Sequence, residues 1–249
     1  MINKKINISV FFVAFAAFLF LIGNLTKVNA STTSKVTTIT VGTAGAPKPY
    51  TYVKNGKILG FDIDTVRAVD KVLPQYKFVF KKTEFSSILE GVDSGRFQVG
   101  ANSFGSNSQR REKYYFSKAI YKDPYVLVVK KNSNIKTLSD IGGKTTIAQP
   151  GTNNVTTLQK INKTLKNKTK IVYSQEDIGK NFTDIQSGKY DYLISDKVMY
   201  KSYKKAYKFT GLKTITLNAK ETKAIAGGTA PYTYLLVSKN KEGKKLVTA

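Results

Sequence analysis

One short pattern occurs twice in this chain and points to a fold with two similar halves. Residues 94–99 read Ser-Gly-Arg-Phe-Gln-Val, and residues 187–192, which lie 93 positions later, read Ser-Gly-Lys-Tyr-Asp-Tyr. Each copy follows a segment with the spacing of an amphipathic helix and continues into a strand-like segment that ends on polar residues. The recurrence predicts two α/β lobes that present the C-terminal ends of their strands to each other, where open α/β sheets bind ligands.

The first half alternates predicted strands and helices. Asp62 or Asp64 is expected to cap the first helix, and Pro74 is expected to end it. Gly95 is expected to close the second helix. The alternation predicts a mostly parallel sheet flanked by helices. The expected strands are 36–41 and 76–80, and the expected helices are 63–73 and 85–94.

The second half repeats this order. The continuous apolar run at 125–129 is typical of a central strand, and the chain is expected to cross into a second lobe after it. Aligning the two copies of the pattern places Ser103 opposite Asp196. The elements expected here are strands at 145–148, 171–173 and 190–195, a helix at 153–163 and a helix that ends near 184–188.

Arg110 follows the polar end of one predicted strand, seven residues beyond Ser103. A planar fork of N–H donors beside free backbone amides is a good receptor for a small carboxylate, which makes Arg110 the leading candidate for anion binding. The alternative is that Arg110 and Arg111 only solvate the start of a helix.

The N-terminal 30 residues have the plan of a secretory signal. Lys4 and Lys5 precede the apolar run 8–23, and small residues lie before Ser31. The alternative is an uncleaved membrane anchor, for which the run is short. Removing residues 1–30, which hold three lysines and no acid, lowers the formal charge from +25 to +22. The chain is therefore expected outside the cytoplasm, secreted or associated with the cell surface through its charge, and without a lipid-anchor cysteine.

Composition excludes several classes of function. The chain has no cysteine and no histidine, so the thiol nucleophile, the commonest general base and the commonest zinc ligand are all missing. No cofactor, metal site or catalytic residue is expected. Nucleic-acid binding is not expected either, because the lysines are scattered rather than clustered on a helix or interleaved with a known binding signature.

Together, these segments resemble the extracytoplasmic solute-binding proteins of polar amino-acid ABC transporters, bacterial solute-binding protein family 3. The resemblance covers about residues 36–239 and implies an α/β fold of the two-lobed, type II periplasmic-binding-protein-like class, with a two-strand hinge. It implies residues 1–30 as signal peptide, 31–128 and 217–249 as lobe 1, and 129–216 as lobe 2, with C-terminal helices cut short relative to the family. The motifs that carry it are 60–64, 85–89, Ser94-Gly95, the Arg110 loop with Phe116-Ser117, 138–144 with Gly151-Thr152, and 187–196.

The resemblance also implies a role for each candidate ligand-binding residue. Arg110 would bind the α-carboxylate and Asp196 the α-ammonium of a free amino acid. Backbone groups of Ser103 and Gly105, together with Thr152, would assist Arg110 at the carboxylate. Tyr50 and Phe85 would form apolar walls around the ligand side chain, and Gln149 and Asn153 would set the side-chain specificity.

Some of these residues have ordinary structural alternatives. Tyr50 and Phe85 are also consistent with plain core aromatics, Asp196 with a helix cap, and Gln149 with a solvated turn. Gly105 stands where many family members carry Thr, which leaves the identity of the amino acid open.

The function expected from the resemblance is non-enzymatic. The chain would bind cystine or another polar amino acid and deliver it to an ABC-type permease, as a monomer. An alternative is a basic surface protein that adheres to anionic cell-wall polymer or to a membrane surface. A lyase on the same fold is a third class, but the named site residues supply only Asp196 as a group for acid–base chemistry.

Overall fold

The computed structural model describes residues 36–225 and 231–249, so the predicted signal segment lies outside the described residues. Within this part of the chain, no helix combines the length and the apolar character that a bilayer-spanning helix needs. The strands are β1 Thr37–Thr43, β2 Tyr52–Lys54, β3 Lys57–Leu59, β4 Tyr76–Lys82, β5 Val99–Gly105, β6 Tyr114–Phe116, β7 Tyr125–Lys130, β8 Thr145–Ala148, β9 Lys170–Tyr173, β10 Tyr192–Asp196, β11 Leu212–Thr216 and β12 Thr233–Ser238. The α-helices are α1 Phe61–Val72, α2 Phe85–Asp93, α3 Ser108–Lys113, α4 Asn153–Asn162, α5 Ile178–Ser187, α6 Lys197–Tyr207, α7 Ala219–Ile225 and α8 Lys241–Thr248, and a short 3-10 helix spans Leu138–Ile141.

Two five-stranded sheets form two α/β lobes, as the repeat predicts. The strand order is β4-β1-β5-β12-β6 in the first sheet and β11-β7-β10-β8-β9 in the second. Each sheet contains two parallel and two antiparallel pairs, so both sheets are mixed rather than mostly parallel. The antiparallel pairs arise where β7 and β12 enter their sheets from the other lobe, which reverses their direction.

Two chain segments cross between the lobes side by side. Lys122 and Tyr232 form an antiparallel bridge, and the Asp123 N–H donates to the Pro231 carbonyl at 2.6 Å. The first crossing comes before β7, because Tyr125–Lys130 pairs within the second sheet. Residues 125–128 were expected in lobe 1, so the change of lobe lies a few residues earlier than the sequence indicated. A central apolar strand does not reveal which of two sheets it joins.

The repeated pattern has the same local structure in both lobes. Gly95 follows α2 with φ 76° and Gly188 follows α5 with φ 87°, a left-handed conformation that favours glycine. Strands β5 and β10 then begin at equivalent positions, Val99 and Tyr192. The predicted correspondence between the two halves is confirmed at this level.

Each sheet is packed against helices through a separate apolar core. In the first lobe Val41, Val66, Phe78 and Val99 form one buried cluster. In the second lobe the buried clusters include strands β7 and β10 and helices α4, α5 and α6. The rigid sheets thereby fix the polar strand ends that border the space between the lobes.

The expected cap of α1 is wrong. The residue before the helix is Gly60, with φ 126°, and neither Asp62 nor Asp64 caps it with its side chain. A Cβ at Gly60 would lie 2.3 Å from the Tyr50 carbonyl oxygen, so the close approach of these two segments requires glycine. The Asp62 side chain is instead buried beneath Ser103, where it accepts the Ser103 N–H at 2.5 Å.

Candidate functional site

A cavity of about 210 Å³ lies between the two lobes, where the C-terminal ends of β5 and β10 meet. Its lining contains residues of both lobes. Of the nine predicted site residues, eight line this cavity: Phe85, Ser103, Gly105, Arg110, Gln149, Thr152, Asn153 and Asp196. Tyr50 is not part of the lining, although its hydroxyl hydrogen-bonds to two lining side chains, Asp123 and Asp196.

Arg110 is a buried cation at one end of the cavity. Asn107 caps α3 by accepting the Arg110 N–H at 2.7 Å, which fixes the backbone that carries the guanidinium. The guanidinium donates from Nη1 to the Gly105 carbonyl at 2.7 Å and from Nη2 to the Gly151 carbonyl at 2.8 Å. Its carbon lies 5.3 Å from the centre of the Phe104 ring. The side chain is therefore held in place from both lobes.

No carboxylate among the described residues forms an ion pair with this guanidinium. Only 7% of Arg110 is exposed. Burial lowers the pKa of Arg110 to about 10, so the group stays charged at neutral pH. A guanidinium has more N–H donors than these two carbonyls use. The site therefore attracts an anion.

The start of α4 adds a second anion-attracting feature at this end. Thr152 is the residue before the helix, but its hydroxyl donates to the Gln149 carbonyl at 2.7 Å and does not cap the helix. The first-turn N–H groups of α4 are thus left without a side-chain cap. Together with the positive end of the helix dipole, they favour a carboxylate near Arg110.

Two buried carboxylates, Asp123 and Asp196, line the cavity together. The Tyr50 hydroxyl lies 2.6 Å from Asp196 Oδ1 and 3.0 Å from Asp123 Oδ1. A hydroxyl has a single proton, so Tyr50 satisfies one of the two carboxylates at a time. Burial, followed by the charge on Asp196, raises the pKa of Asp123 to about 9, and burial also raises the pKa of Asp196. The raised pKa values favour a shared proton on the pair at neutral pH, and an ammonium group is a suitable replacement for that proton.

Asp196 caps a helix and also lines the cavity. Its Oδ1 accepts the Met199 N–H and caps α6, while the same carboxylate faces the cavity. The two interpretations are compatible because a carboxylate accepts several hydrogen bonds.

The structure corrects the expected role of Tyr50. It is 3% exposed and its ring stacks on Tyr121 with centroids 5.2 Å apart. Instead of forming an apolar wall, it supports the two carboxylates from outside the lining. Phe85 does line the cavity, and it also stacks on Phe104 at 5.3 Å, so it is a core aromatic and a cavity wall at once.

Ser103 has an unusual backbone at the edge of the cavity. Its φ is 51°, a left-handed conformation that is uncommon for residues other than glycine. Asp62 accepts its N–H, and the Tyr121 hydroxyl lies 3.1 Å from its Oγ. The Ser103 N–H is therefore already taken by a buried carboxylate in this structure. Burial raises the pKa of Asp62 to about 6.

Asn153 joins the two lobes across the cavity. Its Oδ1 accepts from Asn107 Nδ2 at 2.7 Å, and its Nδ2 donates to the Ser106 carbonyl at 3.3 Å. A Cβ at Gly105 would lie 2.6 Å from that Nδ2 atom, so the absence of a side chain at Gly105 makes room for Asn153. Gln149 is half-buried and lines the cavity beside this bridge.

Sequence reasoning missed several polar lining residues, among them the buried Asp123 and Asn181. Asp123 lies between a lysine and a proline in a short polar segment, a context that reads as an exposed turn. Asn181 lies on the inner face of α5. In the sequence it stands next to the apolar positions Phe182 and Ile185, where a polar residue is expected at the edge of the buried face. Neither position carries a local signal that distinguishes a cavity residue from a solvated one.

The chain matches the family described as bacterial extracellular solute-binding proteins, family 3, over residues 39–170. It is 30% identical to the L-cystine-binding protein TcyJ of Bacillus subtilis over 184 residues, which cover 72% of this chain and 68% of that protein. The chain spans 61% and 60% of two further L-cystine-binding proteins of the same organism, TcyK and TcyA.

Solved structures have the same fold. One of them comes from work on glutathione import in Gram-positive bacteria via GshT and the cystine ABC importer TcyBC of Streptococcus mutans. Its TM-score with this chain is 0.78 and its sequence identity is 32%, and the match covers 85% of this chain and 87% of that chain. The arginine-, lysine-, histidine-binding protein ArtJ of Geobacillus stearothermophilus has a TM-score of 0.70 and 25% identity, covering 84% and 86%. Relatives of one fold thus differ in the amino acids named for them.

Proposed function

The chain belongs to family 3 of the bacterial extracellular solute-binding proteins, and from that premise we propose that it captures a free polar amino acid outside the cell and delivers it to an ABC-type permease. The observation that carries the proposal is the charge arrangement of the cavity. A buried guanidinium without a carboxylate partner lines it, and so do two buried carboxylates. These groups match the two charges that every free amino acid carries.

The carboxylate of the ligand is assigned to Arg110 and to the first turn of α4. Because Arg110 is already ordered by the Gly105 and Gly151 carbonyls, binding does not have to immobilise a long side chain. A charged hydrogen bond in a buried site is stronger than the same bond in water. The proposed contact therefore contributes a large share of the affinity.

The ammonium of the ligand is assigned to Asp123 and Asp196. Two close carboxylates with one shared tyrosine hydroxyl lack enough donors to ionise together. A ligand ammonium brings three donors and a compensating charge. It supports ionisation of both carboxylates while Tyr50 keeps its hydrogen bond.

Contacts across the cavity support a closing motion as part of the function. Arg110, Asn107 and Tyr50 of the first lobe hydrogen-bond to Gly151, Asn153 and Asp196 of the second. The paired crossing segments around Lys122 and Tyr232 are the natural place for the lobes to hinge. A ligand that bridges both lobes stabilises the closed form, which is the form a permease is expected to receive.

Titration calorimetry of the purified chain with free amino acids tests the proposal. The expected result is one site with micromolar affinity, about −8 kcal/mol. For the best ligand, its α-amide and its N-acetyl derivative serve as matched controls, because each removes one of the two charges. Both are expected to lose at least about 100-fold in affinity. Unchanged binding of either derivative would contradict the assignment of that end.

A further inference from the structure

Besides Arg110, the cavity lining includes several oxygen acceptors. The segment before α5 and the first turns of that helix contribute Glu176, Asp177 and Asn181, and the first lobe contributes Glu84. These residues do not take part in the contacts assigned above to the α-carboxylate and the α-ammonium. They are available to meet the side chain of a bound amino acid.

Asn181 is the strongest indication that this wall meets a ligand. It is 2% exposed, and its Oδ1 atom is buried without a hydrogen-bond donor among the described residues. Buried amide oxygens almost always have a donor, and leaving one without a partner is costly. The atom belongs to a side chain that lines the cavity. A ligand that carries N–H groups would complete it.

The charge of the lining points in the same direction. The whole chain has Lys+Arg 41 against Asp+Glu 16. Among the described residues that line the cavity, the balance is reversed, because Arg110 is the single cation beside five acids. Those acids are Glu84, Asp123, Glu176, Asp177 and Asp196.

The acids divide between the two parts of the cavity. Asp123 and Asp196 are taken up by the ligand ammonium, whereas Glu84, Glu176 and Asp177 remain near Asn181 or across from it. Asp177 caps α5 through one carboxylate oxygen, which accepts the Gly179 N–H at 2.8 Å, and its charge offsets the positive end of that helix. Glu84 and Glu176 therefore supply most of the uncompensated negative charge of this wall, and Asn181 supplies an acceptor without a donor among the described residues.

We propose that the ligand is an amino acid with a cationic, nitrogen-bearing side chain, a guanidinium or an ammonium, whose N–H group donates to Asn181 Oδ1 within the field of Glu84, Glu176 and Asp177. This inference rests on the proposed function, because it takes the α-groups as bound at Arg110 and at the aspartate pair. A ligand whose far end carries only a carboxylate, as glutamate does, would place that charge among the acids of this wall, whereas the far end of cystine brings an ammonium together with its carboxylate.

Calorimetry with matched ligand pairs tests the inference. Arginine is compared with citrulline and lysine with norleucine, because each pair has a similar shape and differs in charge. The cationic member is expected to bind at least about 10-fold more tightly. Equal affinity within both pairs, or tighter binding of cystine or glutamate than of arginine and lysine, would overturn the inference while leaving the proposed function intact. No binding of any free amino acid would instead contradict the proposed function.

Two variants locate the effect. Asn181→Leu, which removes the acceptor, is expected to weaken binding of the cationic ligand about 10-fold and to leave norleucine, which has no side-chain N–H, within about 3-fold. The double variant Glu84→Gln/Glu176→Gln, at exposed positions where folding is not at risk, is expected to weaken cationic binding about 3-fold to 10-fold.

Glu242→Gln is the matched control for charge, because Glu242 is exposed on α8 and pairs with Lys245 rather than lining the cavity. It is expected to leave all affinities unchanged. An equal loss in Glu242→Gln and in Glu84→Gln/Glu176→Gln would show a general charge effect and would overturn the inference. Unchanged cationic selectivity in both Asn181→Leu and the double variant would overturn it as well.

Discussion

At one end of the cavity a single guanidinium is held by two backbone carbonyls, whereas at the other end two carboxylates share one tyrosine hydroxyl. Arg110 stays charged at neutral pH, and two backbone carbonyls fix the position of its guanidinium. For Asp123 and Asp196, burial raises both pKa values, which favours a shared proton on the pair at neutral pH. In the proposed function, the two ends therefore bind the ligand by different means. The positive end is ordered before binding, and the negative end would exchange a proton for the ligand ammonium.

Arg110→Ala is expected to have the largest effect. It removes the buried cation and leaves the Gly105 and Gly151 carbonyls without their donor, so amino-acid affinity should fall at least about 100-fold. Arg111→Ala is the matched control, because its neighbouring guanidinium is exposed and packs on Phe116 rather than lining the cavity. Calorimetry on both variants measures the difference. Full affinity in Arg110→Ala would show that the positive end does not bind the ligand.

Asp196→Asn is expected to have the next largest effect, about 30-fold to 100-fold weaker binding. The substitution is informative because asparagine also caps helices well, so the start of α6 should be preserved. Thermal unfolding of the variant, with a midpoint close to that of the parent chain, serves as the control for folding. If Asp196→Asn weakened binding of the N-acetyl derivative as much as binding of the free amino acid, the loss would not depend on the ligand ammonium. That result would contradict the assignment of the ammonium to the negative end.

The proton exchange predicts a pH dependence that belongs to the negative end alone. The free pair holds a proton below a pKa of about 9, and the bound pair is ionised, so binding at neutral pH releases about one proton. Affinity should therefore rise with pH, by at most about 10-fold per pH unit between pH 6 and pH 8.

Calorimetry in buffers with different ionisation enthalpies counts the released protons directly. Asp123→Asn is expected to reduce the count towards zero, since only one carboxylate then remains in the pair. Affinity that is independent of pH in the parent chain would show that the pair is already ionised when the cavity is free.

Gly105→Ala is expected to have the smallest effect, about 3-fold to 10-fold weaker binding. Its Cβ would displace Asn153 and weaken the bridge to Asn107 and Ser106, so the closed form would be less populated. Adding Asn153→Ala removes the side chain that clashes. The double variant should therefore bind no more weakly than Asn153→Ala alone, and a further loss would mean that Gly105 acts by another route.

The sequence was a better guide to the positive end than to the negative end. Arg110 follows a polar strand end, which is a local signal, and it lines the cavity. Gly105, Thr152 and Asp196 also line it, but their predicted roles came from the family resemblance, and the internal repeat only placed Asp196 opposite Ser103. Asp123 was missed because its surroundings depend on the pairing of two crossing segments distant in the sequence, a contact that no local pattern reveals.

The same limit explains the remaining errors. Asp62 has the position of a helix cap, but the buried Ser103 N–H takes its carboxylate, and Gly60 starts the helix instead. Tyr50 was expected as a wall because aromatic rings pack against ligands, whereas its hydroxyl is needed beside two carboxylates. In each case a long-range hydrogen bond overrides what a residue type suggests locally.

A crystal structure of the chain with its tightest-binding amino acid is the most direct test. The account predicts that the ligand carboxylate lies within hydrogen-bond distance of the Arg110 guanidinium and that the ammonium lies within the same distance of Asp123 or Asp196. A ligand bound in the reverse direction, or bound outside this cavity, would contradict the account.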